Sequence, residues 1–97
     1  MEKLKEVFEG TGEVKGFLFT RVYESETGYI YAVQTSKHNK HFEVFKKKTA
    51  PKCIDFEKRI YDENDRKEVY PKSKDFGMWA WTVGDVESGK ERIKQWS

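Results

Sequence analysis

The sequence predicts an α+β domain: a curved antiparallel β-sheet of about five or six strands, with one C-terminal helix packed on it. The sheet is expected to comprise an N-terminal meander, a hairpin and a Trp-rich strand. Three observations predict this. The 97 residues include two Leu and three Ala, which fill helices, against 33 Val, Ile, Phe, Tyr, Trp and Thr, which favour strands. Apolar and polar residues alternate through most of the chain, and connections of four or five residues separate the first runs, as in a meander. Helix-start signals appear at Asp85 and Ser88, late in the sequence.

Length allows one domain, 1–97, with no room for a second core. Leu, Ile, Val and Phe number 21 of 97, a lean supply for a core, but an aromatic content of 15% marks a folded chain.

Residues 1–12 are a candidate loosely attached arm. Within it, Leu4, Val7 and Phe8 fit a helical stripe, while Leu4, Glu6 and Phe8 alternating with Lys5, Val7 and Glu9 fit a strand. Residues 16–24 read as a strand, with Phe17, Phe19, Arg21 and Tyr23 on one face and Leu18, Thr20 and Val22 on the other. After a turn at 25–28, the strand 29–35 sets Tyr29, Tyr31 and Val33 against Ile30 and Ala32. A polar turn at 36–40 leads to a strand at 41–48, where His41, Glu43 and Phe45 alternate with Phe42, Val44 and Lys46.

Pro51 breaks the pattern. In 53–61, Ile54, Phe56 and Ile60 face away from Asp55, Glu57 and Arg59; residues 62–65 read as a turn and 66–70 as a short returning strand. A loop at 71–75 precedes the strand 76–83, with Trp79, Trp81 and Val83 on one face and Phe76, Met78 and Ala80 on the other. A helix over about 85–96 closes the chain. Asp85 as its cap leaves Gly89 inside, at about 1 kcal/mol relative to Ala; Ser88 with Glu91 offers a capping box instead. Val86, Ile93 and Trp96 share the face expected to meet Trp79 or Met78, and Gly89 near that face fits a close approach to the sheet.

Net charge is +2, too near balance to imply a polyanion partner by itself. The excess is local: residues 37–59 hold 8 basic and 3 acidic groups. Cys53 is the only cysteine, which excludes an intrachain disulfide and points to a reducing, cytoplasmic setting. No apolar run reaches the length of a membrane span, and the first ten residues lack the apolar stretch of a signal peptide.

Among candidate sites, the run Lys46, Lys47 and Lys48, with Lys52 and Arg59, could neutralise phosphates while Tyr29 or Tyr31 stacks on bases. The plainer reading is a solvated strand end, where Lys also discourages edge pairing. The Trp79/Trp81 pair suits a core short of Leu, and the Tyr pair suits either a core or a half-wet face. His38, His41 and Cys53 fall short of a zinc ligand set, and Asp62–Asp65 departs from the calcium-loop pattern at Arg66 and Lys67. Cys53 sits in no nucleophile motif, and no phosphate-binding glycine loop occurs.

The segments Phe42-Glu43-Val44-Phe45-Lys46, Tyr70-Pro71-Lys72-Ser73 and Phe76-Gly77-Met78-Trp79-Ala80-Trp81-Thr82 resemble those of small accessory proteins of gut bacteria and their phages. The resemblance runs from about Gly12 to the end. It implies a strand-rich body with a short C-terminal helix and a mobile-element origin, and assigns no active residue. The function expected is a small intracellular, non-catalytic module binding a protein partner, without cofactor or metal. The alternative is a nucleic-acid-binding domain using the basic 41–59 region.

Overall fold

The computed structural model describes residues 2–55 and 60–96, with backbone alone for Glu13, 52–55 and 60–65. In chain order the strands are β1 (Val7–Glu9), β2 (Leu18–Glu24), β3 (Gly28–Gln34), β4 (Lys40–Lys46), β5 (Thr49–Asp55), β6 (Ile60–Glu68) and β7 (Ala80–Val83), followed by the helix α1 (Val86–Lys94). Among the described residues, an antiparallel sheet runs β1-β2-β3-β4-β7, and β5 and β6 pair as a separate ribbon. The α+β class, the meander and the docked C-terminal helix all stand as expected from the sequence.

Register explains the core. Across the central strands Phe19 pairs with Val33 and Val33 with His41; Arg21, Tyr31, Glu43 and Thr82 align, as do Tyr29, Phe45 and Ala80. These residues share one face, here the ring face. Ile30, Val44 and Trp81, with Ala32, Phe42 and Val83, share the opposite, helix face. Tyr29 to Val33 are all buried, so β3 is covered on both sides, in keeping with its unbroken apolar run.

The helix begins at Asp85, whose side chain accepts from the Ser88 N–H at 2.7 Å. That bond to the carboxylate also pulls the Asp85 pKa down. Ile93 packs with Ile30 and Val44, and Trp96 lies 5.5 Å from Trp81 between ring centroids. The expected contact with Trp79 or Met78 is therefore replaced by one with Trp81, and Met78 is 73% exposed. Gly77 is the reason. It adopts φ +92, a conformation open to glycine, and its N–H donates to the Ala80 carbonyl at 2.7 Å. The chain turns at 76–79 and the strand starts only at Ala80. Trp79 consequently meets Phe45 on the ring face while Trp81 faces the helix, so the expected Trp pair is divided.

Three further expectations are corrected. A bulge at Val22 shifts the register, moving Tyr23 from the side of Phe19 and Arg21 to the helix face. Pro51, expected to break the strand pattern, sits within β5 beside a register shift, where a missing N–H is tolerated. Asp62–Asp65 lies in β6 rather than a turn; having no apolar alternation, it offered no period to distinguish the two. The alternation expected through Ile54, Phe56 and Ile60 falls outside the described side chains.

In the N-terminal segment Val7–Glu9 form a strand, and the residues before it are fastened at several points. The Glu2 N–H donates to the Arg66 carbonyl at 2.9 Å, and the Arg21 N–H donates to the Glu6 carbonyl at 2.7 Å. The Arg21 guanidinium also donates to the Leu4 carbonyl.

Candidate functional site

The basic stretch does not assemble as one surface. Lys47 pairs with Glu24 at 2.8 Å. Lys46 Nζ lies 5.5 Å from the Trp96 ring centre on the helix face, and Lys48 Nζ lies 5.1 Å from that of Trp79 on the ring face. The Lys52 side chain and Arg59 fall outside the described residues. Glu24 also accepts from Lys3 at 2.8 Å, and these hydrogen bonds from two ammonium groups hold its carboxyl down at about 2.

Tyr29 and Tyr31 are fully buried, which overturns their role as exposed stacking rings. The Tyr29 hydroxyl donates to Glu68 at 2.5 Å and the Tyr31 hydroxyl to the Lys5 carbonyl at 2.7 Å. Arg21 and Lys47 each lie 4.9 Å from the Tyr29 ring centre. Burial pushes both phenol pKa values up; the Glu68 bond adds to this at Tyr29, and Arg21 opposes it at Tyr31. A core short of Leu uses these rings as its bulk.

An open cleft of about 710 Å³ lies on the ring face, where Phe19, Val33, His41 and Glu43 continue beyond the buried rings. Val14, Phe17 and Phe76 supply apolar walls, Lys72, Ser73 and Lys74 line it from the loop after β6, and Thr82 lines it from β7. Its polar floor is a hydrogen-bonded array. Tyr70 donates its hydroxyl to Glu43 Oε1 at 2.6 Å, and His41 Nε2 meets Glu43 Oε2 at 2.9 Å. The Tyr70 ring stands edge-on to Phe45, 4.7 Å between centroids, and to Phe19, 5.1 Å. Burial, then the Glu43 charge, holds the Tyr70 pKa far above the ordinary tyrosine range, so this hydroxyl is a fixed donor.

The period-two spacing of His41 and Glu43 put both on one face and was readable. Tyr70, 27 residues from Glu43, carried no local signal. Sequence reasoning weighed His41 only as a metal ligand or a catalytic partner of Cys53, whose side chain is outside the described residues. Among the described residues no three His, Cys, Asp or Glu side chains gather as metal ligands, and no hydroxyl lining the cleft hydrogen-bonds to His41. No helix among them is long and apolar enough to cross a membrane. Comparison with protein-family models, curated proteins and solved structures gave no match.

Proposed function

We propose that this domain is a small non-catalytic binding module that receives a segment of a protein partner in the ring-face cleft. The observation that carries this is the union of apolar walls with a polar floor that is already satisfied. Glu43 has a partner on each oxygen, so an apolar group can enter and displace water without stranding a carboxylate. The single cysteine, which allows no intrachain bridge, supports a reducing interior as the place of action.

Strand addition at a sheet edge is the other way to bind a protein segment. The edge strands of the five-stranded sheet disfavour it. β1 has three residues and β7 four, and the Ala80 carbonyl already accepts from Gly77. Short, blunted edges resist pairing. Nucleic-acid binding through the basic run is also less supported, because the two tyrosines are buried and the lysines of 46–48 diverge.

A photoreactive benzoylphenylalanine placed at Thr82 tests the reading, with the same group at Val22, exposed and away from the cleft, as control. Protein adducts in cells at 82 and not at 22 are expected. Equal labelling from both positions, or adducts with nucleic acid alone, would refute the cleft as a protein site.

A further inference from the structure

We propose that the received segment is extended and acidic, and that it crosses Tyr70 from this cleft into a second one. The inference rests on the reading of the first cleft as the receiving site. A second cleft, of about 760 Å³, is lined by Leu4, Phe8, Pro51 and Val69 together with Lys5 and Lys67. Thr11, Tyr70 and Lys72 line both clefts, so the two form halves of one groove.

Charge identifies what the groove accepts. Lys5, Lys67, Lys72 and Lys74 make no ion pair with any described residue, whereas Lys3, Lys47, Lys90 and Lys94 each hold a carboxylate. Across the groove, five lysines stand against three glutamates. Two of those glutamates are turned inward: Glu43 toward Tyr70 and His41, and Glu68 toward the Tyr29 hydroxyl and the Leu4 N–H. Asp75, beside Lys72 and Lys74, accepts from the Lys72 N–H at 2.9 Å. The cations that remain attract carboxylates from outside.

Apolar walls in both halves select a peptide over a phosphate polymer. An extended segment alternates its side chains, so carboxylates can reach the lysines while apolar side chains enter the two clefts. A phosphate backbone offers nothing to those apolar walls.

Three fluorescein-labelled probes test this by anisotropy at 50 and 200 mM salt: a ten-residue peptide of alternating Glu and Leu, its Gln-for-Glu counterpart, and a ten-nucleotide oligo-dT. The Glu peptide should bind at least tenfold more tightly than the Gln peptide, and more weakly at the higher salt. Lys5→Glu combined with Lys67→Glu should weaken it about tenfold, while Lys94→Glu on the helix leaves it unchanged. All these lysines are at the surface, and thermal melts establish that the variants fold. Equal binding of both peptides, blocked in Thr82→Trp, would overturn the acidic ligand and leave the cleft reading standing. An unaltered affinity in the Lys5/Lys67 variant would remove the second cleft. Binding of oligo-dT alone would overturn both readings, and binding of no probe would overturn the acidic segment.

Discussion

Gly89 stands in the middle of α1, where the lack of a side chain costs a helix about 1 kcal/mol relative to alanine. Close packing offsets this. A Cβ at that position would lie 2.7 Å from Cδ1 and 3.2 Å from Cγ1 of Ile30, which is itself fully buried. Gly89→Ala should therefore destabilise the domain by about 1 kcal/mol despite its better helix propensity. Ile30→Val removes Cδ1, and in that background the same substitution should be neutral or stabilising. Denaturant midpoints of the four proteins decide the matter: an identical cost in both backgrounds would dismiss close packing as the reason for glycine. The sequence placed Gly89 near the docking face because helical period is local. It could not show that Tyr29 and Tyr31 are roofed over, because their covers, Arg21, Lys47 and Glu68, come from β2, from the exit of β4 and from β6.

At the scale of elements, β2 is pinned at its end by Glu24, which joins the N-terminal segment through Lys3 to the exit of β4 through Lys47. Its carboxyl is depressed from 4.5 to about 2. A depressed carboxyl contributes stability that is fully present above the unfolded value and is lost as pH falls through the folded one. Glu24→Gln should thus be less stable than the parent by about 1 kcal/mol at neutral pH, the scale of exposed ion pairs. The gap should close between pH 4.5 and 2. Chemical denaturation across that range is the measurement, and a gap constant with pH would show that the pairs contribute nothing. Elements with apolar alternation were legible to within a residue or two: the meander was expected at 16–24, 29–35 and 41–48 and lies at Leu18–Glu24, Gly28–Gln34 and Lys40–Lys46. Where the pattern failed, a backbone event had intervened, at the Val22 bulge and at the Gly77 turn. The polar β6 was misread for the opposite reason, having no pattern to follow.

For the whole molecule, the question is what holds the β5–β6 ribbon to the main sheet. Backbone bonds join Glu2 to Arg66 and Glu68. At the centre sits Glu68, 7% exposed, accepting on one carboxyl oxygen from the Leu4 N–H, 64 residues away, and from the Tyr29 hydroxyl, 39 residues away. Contacts of such separation leave no trace in local patterning, which is why the N-terminal arm was expected to be loose. Glu68→Leu would leave two donors without an acceptor, at about 1–3 kcal/mol each, a large share of the stability of a domain this size. Glu68→Gln retains an acceptor oxygen and should cost about 1 kcal/mol. If Glu68 is the clasp, amide exchange in Thr49–Asp55 and Ile60–Glu68 should accelerate in Glu68→Leu well before that of the central strands β2 to β4. Uniform acceleration across both sheets would mean that the ribbon and the sheet open together. Because Glu68 also lines the second half of the groove, loosening the ribbon should weaken the acidic peptide more than it disturbs the packing of α1 on the far face.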